Sequence, residues 1–365
     1  MFRSPPVRLV VALGSLALTA CAEDRSPTQP ESGAEPASAA GLAAAIAPNT
    51  WLLKAAPPND QSVTGLSAGV VPDASGNSIV YTLGGRSNDP GAGGSGCGSN
   101  ILAYKIGTNT WTVKGYDPRL FLYNSNGVGK IGNTLYISGG ESDCAGYHID
   151  GKFSAYDPAT NTVTAKPNPP RLTADGVTGV IDGKLYVLPG LCSTDLPGYP
   201  PYCQSEQIRT LWRYSPTTNS WTWKRQVAHN HANGAGGVIN GKFYVAGGSS
   251  NYGAQLEASL DRYDPATDTW TTLAPLPKAG RAVGAVLQGK LFVVVSDETG
   301  TTARRAYAYD PAMNKWTSKA APHWDHPAIV PNTWGGKPYL LAVGGVRFDP
   351  SIPGLLSNRT EVYAP

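Results

Sequence analysis

The chain repeats itself, and each repeat is anchored by a tyrosine and a tryptophan held seven residues apart. Tyr104 precedes Trp111 by that interval, and the same spacing separates Tyr214 from Trp221, Tyr263 from Trp270 and Tyr309 from Trp316. Tyr156 stands seven residues before Val163, so one copy carries Val in the Trp place. The unit returns every 46 to 58 residues. A fixed internal spacing of that length marks a repeat architecture, in which each copy is one supersecondary unit that buries its faces against its neighbours.

A second signal recurs in step with the first. An apolar run ends in a glycine pair at Gly84-Gly85, Gly139-Gly140, Gly247-Gly248 and Gly344-Gly345, with Pro189-Gly190 and Val295-Ser296 as degenerate copies. Ahead of three of these sites stand Ile181-Asp182-Gly183-Lys184, Ile239-Asn240-Gly241-Lys242 and Leu287-Gln288-Gly289-Lys290. Asp-Gly and Asn-Gly between apolar runs predict two-residue hairpin turns, because both turn residues need positive φ. The unit therefore reads as strand a, tight turn, strand b ending at the glycine pair, a loop of variable length, strand c ending at the tyrosine, a short turn, and strand d carrying the tryptophan.

Four antiparallel strands with this signature resemble the kelch repeat of β-propellers, over roughly residues 50–365. The resemblance implies an all-β, six-bladed kelch-type propeller. The sixth copy has its glycines at 344–345 and its tyrosine at 363, and no strand d follows. Asn49-Thr50-Trp51-Leu52-Leu53 looks like Asn219-Ser220-Trp221-Thr222-Trp223, so the first strand is expected to complete the last blade and close the ring. Closure removes strand edges that would otherwise invite aggregation.

The first 20 residues read as a lipoprotein signal peptide. Arg3 and Arg8 precede an apolar run from Leu9 to Leu18, too short to span a bilayer. Leu18-Thr19-Ala20-Cys21 resembles the bacterial lipobox, which implies lipidation of Cys21 and, with Ala22 next, sorting to the outer membrane. Residues 21–48 are rich in Ser, Pro, Ala and Glu and read as a flexible tether, leaving 49–365 as the propeller. Membrane contact is expected through the lipid alone. The formal charge is +3, two of those cations lie in the leader, and no Lys/Arg-rich segment occurs, which argues against nucleic acid as a partner. Cys97, Cys144, Cys192 and Cys203 fall in the loops after strand b. Export makes disulfides expected, and of the three possible pairings Cys192 with Cys203 and Cys97 with Cys144 is preferred.

Topology selects a functional face. The b–c and d–a connections of such a blade emerge on one side, and the interval from glycine pair to tyrosine varies widely there. Long irregular loops on a rigid scaffold are where binding usually resides. The d–a segments lead to the channel mouth with an unusual polar content: Tyr123, Asn124 and Asn126, then Arg171 and Asp175, then His229, His231 and Asn233, then Arg281, then His323, Asp325 and His326. Aligned on the Gly-Lys hairpins, Asp175, Asn233 and Arg281 occupy equivalent places. The expected ligand-binding set is Asn126, Asp175, His231, Asn233, Arg281, Asp325 and His326.

Water, a small polar ligand such as a sugar, or a metal held by His229 or His231 with His323 or His326 and Asp325 are the occupants this ring suits. No cofactor is expected. Tyr147, Tyr199, Tyr202, Tyr252 and Trp324 are available as aromatic platforms.

Other motifs dissolve in context. Gly65-Leu66-Ser67-Ala68-Gly69 has the nucleophile-elbow pattern but leads into a strand, and Gly91–Gly96 lacks the following helix of a dinucleotide fingerprint. The functional expectation is a monomeric binding module for an envelope or extracellular protein or glycan. The alternative is a carbohydrate-active enzyme similar to the six-bladed bacterial sialic-acid mutarotases.

Overall fold

The computed structural model describes residues 46–58, 64–86, 98–120, 123–141, 149, 151–192, 208–250, 255–296, 304–349, 352–356 and 359–365. The chain divides into two units, residues 1–35 and 36–365, and everything described belongs to the second. The signal peptide, Cys21, Cys97, Cys144, Cys203, Tyr147, Tyr199, Tyr202 and Tyr252 lie outside the described residues, as do nearly all of the tether and the preferred disulfide pairings.

Six four-stranded antiparallel sheets follow one another along the chain. Blade 4 is representative, with Ala235–Ile239 innermost, then Lys242–Ala246, Leu260–Asp264 and Thr269–Thr272 outermost. The innermost strands pack side by side around a ring, blade 6 against blade 1 included. Blade 6 has the order 50–54, 360–364, 337–343, 328–334. The strand Thr50–Lys54 pairs with Thr360–Ala364 over five residues, Trp51 opposite Tyr363, which is the closure the repeat predicts.

The turn chemistry follows the sequence. Asp182-Gly183, Asn240-Gly241 and Gln288-Gly289 are two-residue turns with φ between 49° and 71° at every position. These mirror-image turns match the strand twist, which is why asparagine, aspartate and glycine are favoured there.

The core is distributed over the seams between blades. Six apolar clusters each draw on two neighbouring blades; one joins Val80, Tyr104 and Ile106 of blade 1 to Val330, Tyr339, Leu341 and Val362 of blade 6. No helix among the described residues is long and apolar enough to cross a membrane.

A polar device accompanies the tryptophan. In every blade the repeat tyrosine donates its hydroxyl, at 2.5–2.9 Å, to a side-chain oxygen of a left-handed Asn or Asp: Asn109, Asn161, Asn219, Asp268, Asn314 and, for Tyr363, Asn49. In four blades the same oxygen accepts a backbone N–H from the preceding blade, and the tryptophan indole donates to that residue's carbonyl. Ala55 is held this way by Asn109 and Trp111, Arg225 by Asp268 and Trp270, Ala274 by Asn314 and Trp316, and Ala320 by Asn49 and Trp51. Trp221 donates to Pro167, which has no N–H to offer in return. Blade 2 carries Val163, and there the Asn161 amide donates to the Lys114 carbonyl instead.

Candidate functional site

Each blade sends its d–a segment across one end of the channel. In four blades this segment kinks through a left-handed residue: Asn124 at φ 52°, Asp175 at 55°, Asn233 at 56° and His326 at 49°, with Gly65 at 59° in blade 1. Asn, Asp and His are the non-glycine residues that most readily adopt that region.

The kinks place their backbones in contact. The Asn124 N–H donates to the Gly65 carbonyl at 2.9 Å, Asp175 to Asn124 at 2.9 Å, Asn233 to Asp175 at 2.8 Å, and Ala282 to Asn233 at 2.7 Å. Five consecutive blades are thereby stitched by main chain at the mouth, where the side chains of a binding site must be held still. The packing has no slack. A Cβ on Gly190 would lie 2.1 Å from the Asp175 carbonyl oxygen. Gly190→Ala is therefore expected to cost about 2 kcal/mol, the range of an overpacked core, and to lower the exchange protection of the Asn233 amide; equal urea midpoints for the two proteins would contradict this.

The innermost strands and these kinks enclose a channel cavity of about 920 Å³. Asn126, Asp175, Asn233, Arg281 and His326 all line it, with Tyr123 and Asn124. These five are the members of the expected set that the fold brings together. Asn126 is wholly buried and spends its amide on Thr173, 2.8 Å from the hydroxyl.

The electrostatics are set by burial. Asp175 is buried and near Glu141; both effects push its carboxyl up, Arg281 and the Asn233 amide pull it down, and it settles at about 7. Burial, with the Arg281 charge beside it, pushes His326 down to about 4. Its Nε2 is buried and has no hydrogen-bond partner among the described residues. At neutral pH the cavity thus holds a carboxyl poised near its midpoint and a neutral imidazole.

Glu141 and Tyr123 join this group, their backbones paired as an isolated bridge at 2.7 and 2.9 Å. Glu141 was not in the expected set; an acid directly after the Gly139-Gly140 pair is its signal in the sequence.

His231 and Asp325 stand elsewhere. The His231 ring is buried with Nδ1 2.8 Å from the Gly247 carbonyl oxygen and Nε2 3.1 Å from Asp261 Oδ2. His229 Nδ1 lies 2.7 Å from the same Oδ2, and Thr272 donates to Oδ1 at 2.6 Å. Burial opposes the charge on Asp261, but the bonds from His231, Thr272 and His229 outweigh it and hold the carboxyl below its usual range. The two rings share one side, as expected, but a carboxylate occupies the point where they meet. In blade 6, His323 binds buried Glu361 through its N–H at 3.0 Å and through Nδ1 at 2.9 Å. The histidine pairs of blades 4 and 6 do not converge, and no metal-binding group occurs among the described residues.

Asp325 accepts from Ser296 at 3.2 Å and Arg304 at 3.5 Å. Trp324 lies under the Arg359 guanidinium, 5.7 Å from the ring centre. Cys192 is in a disulfide, and its partner lies outside the described residues.

Six antiparallel four-stranded blades around a polar channel, closed by an amino-terminal strand, define a six-bladed β-propeller. Within that class the chain carries repeats of the kelch type. The kelch motif matches residues 173–222 and 231–277. A kelch-like protein, terF, from Aspergillus terreus is 26% identical over 60% of this chain and 49% of that protein. Kelch-like protein 25 of Xenopus tropicalis is 27% identical over 51% and 31%, and an F-box/kelch-repeat protein of Arabidopsis thaliana 33% identical over 47% and 30%. The chain thus spans no more than about half the length of these relatives. Among solved structures, YjhT superposes with a TM-score of 0.62 over 83% of this chain and 95% of that one, at 16% identity, which bears on the fold alone.

Proposed function

We propose that this kelch propeller is an exported, lipid-anchored binding module that offers its b–c/d–a face to a protein or glycan of the cell envelope. The observation that carries the reading is the stitched mouth: a run of main-chain hydrogen bonds across five blades that fixes Asp175, Asn233 and Ala282, the neighbour of Arg281, around one cavity. Concave mouths with a few convergent polar groups are the default sites of recognition. The relatives named as kelch-like and F-box/kelch-repeat proteins favour a binding role, and the lipobox and tether favour a surface setting.

The test is thermal unfolding against a panel of envelope sugars, with pull-down from envelope extract. A site-specific ligand at 100 times its Kd adds about 2.7 kcal/mol of stability. That gain, or partner capture, is expected to vanish in Arg281→Ala combined with Asn233→Ala. A partner retained by that double variant would overturn the reading.

A second reading rests on the opposed protonation of Asp175 and His326. A carboxyl near its midpoint and a neutral imidazole in one cavity are the equipment for proton transfer at a sugar ring oxygen and its anomeric hydroxyl. Purified protein that leaves anomer exchange of sialic acid and common hexoses at the background rate would remove it.

A further inference from the structure

Below the mouth, the innermost strands face the channel with main chain that no ladder uses. Among the described residues each four-stranded sheet ends at its innermost strand, and no ladder joins one innermost strand to the next. The strands Val177–Ile181, Ala235–Ile239 and Arg281–Leu287 show which groups are left over. Their two-residue turns pair Ile181 with Lys184, Ile239 with Lys242 and Leu287 with Lys290. Such a turn closes on a hydrogen-bonded pair, and along an antiparallel ladder bonded and non-bonded pairs alternate. Thr178 and Val180, Gly236 and Val238, and Gly284 and Val286 are therefore non-bonded members, with N–H and C=O turned away from the ladder. Ala282 belongs to the same set, and its N–H does turn away, donating to the Asn233 carbonyl of blade 4 at 2.7 Å. All six residues line the channel cavity. In each blade they stand one and three residues before the end of the strand, so three neighbouring blades offer the same row at the same two heights. At the upper height the Thr178 hydroxyl is spent on the Asn126 carbonyl at 2.7 Å, and Gly236 and Gly284 have no side chain. What meets a guest there is main chain.

We propose that the channel takes the extended end of a partner polypeptide, which adds as a further strand to the open edge of blade 3, 4 or 5. This rests on the mouth being the binding site and names the class of partner that enters it. An open strand edge is a template for another chain, with main-chain bonds supplying the affinity. The edge repeats a donor and an acceptor every two residues, about 6.7 Å. Another extended polypeptide repeats the complement at that interval, whereas a glycan carries hydroxyls without it. The occupant is a chain end, because a loop would need room for two strands. Val180, Val238 and Val286 at the deeper height suit small apolar side chains. The cavity of about 920 Å³ is of the size that a bound ligand fills.

The test is amide exchange of the full-length wild-type chain titrated with the blocked hexapeptide acetyl-Ala-Ser-Ala-Ser-Ala-Ser-amide, so that no variant need fold. In one of the three blades the outward amides, Thr178 and Val180, Gly236 and Val238, or Gly284 and Val286, are expected to gain about tenfold in protection, the size of one net hydrogen bond. Gly179, Gly237 and Ala285, which face the ladder, are expected to keep the protection they have. An analogue with esters in place of the backbone amides has lost its donors and is expected to bind at least about tenfold more weakly. Outward amides that stay unprotected, or an ester analogue that binds as well as the peptide, would falsify the proposal. Protection of these amides by maltohexaose and not by the peptide would also overturn it, in favour of a glycan. Envelope capture that needs Arg281 and Asn233, with no peptide protection in the channel, would remove the peptide and leave the mouth standing. Peptide protection unchanged in Arg281→Ala combined with Asn233→Ala would keep the channel as a site and strike the mouth.

Discussion

Asp175→Asn is expected to stabilise the protein at pH 8, by up to about 4 kcal/mol. Burial raises the carboxyl from 3.8 to about 7, so the native state binds a proton that the unfolded chain has already released. Each unit of that difference is worth about 1.4 kcal/mol. The contribution is present below the unfolded value and is lost as pH rises through the folded one. Asparagine keeps the shape, tolerates φ of 55° and stays uncharged, so it removes the penalty without disturbing the kink.

His326 imposes the opposite slope. Its pKa falls from 6.5 to about 4, so the unfolded chain binds the extra proton in that interval and stability is lost as pH falls through it. In the wild type the two slopes oppose each other between about 4 and 6.5. Asp175→Asn should therefore make stability climb with pH in that window, and His326→Asn should make it fall. Urea unfolding of the three proteins at a series of pH values reads this directly. Variants that both keep the wild-type slope would show that neither group is buried in the charge-free state described.

Trp51→Ala should cost about 3 kcal/mol, in the range of large-to-small aromatic truncations. The indole donates to Ala320 at 2.9 Å, packs against Phe292 and Tyr363, and belongs to the strand that closes the ring. Trp223 supplies the comparison. It is 50% exposed on the outer strand of blade 3, and its truncation should cost less than about 1 kcal/mol. Thermal unfolding of both variants tests the difference; equal losses would mean that the closure contributes no more than an ordinary surface aromatic. Exchange should rise first along Thr360–Ala364, which loses its outer partner.

The fold was legible because a propeller writes its geometry into spacing. Tyr-to-Trp intervals set blade length, the Asp-Gly and Asn-Gly turns set register, and Asn49-Thr50-Trp51 announced the closing strand. Asn109 and its equivalents, five residues after each of the first five repeat tyrosines, were equally regular and carried no visible role, because that role needs a neighbouring blade to be seen. The mouth was half legible. Alignment put Asp175, Asn233 and Arg281 at one level, and the cavity contains them. It did not foresee that His231 turns inward, because the deciding partner, Asp261, lies thirty residues on in the third strand of the blade. An acid two places before the repeat tyrosine, shared with Glu361 of blade 6 where the other four blades carry Leu102, Ser154, Trp212 and Tyr307, was the available sign.

The hydrogen bond from Tyr363 to Asn49 spans 314 residues. Contacts of such sequence separation form late, since the chain entropy of closing the loop must be met before the contact returns anything. Whatever order the inner blades adopt, the sixth cannot exist as a sheet of four until both extremes of the domain are present together. Until then Thr50–Lys54, with Leu52 and Leu53 on it, is an unpaired apolar strand in search of an edge. The ring is thus a timing device as well as a shape, and its last step is the one most exposed to pairing with the wrong molecule.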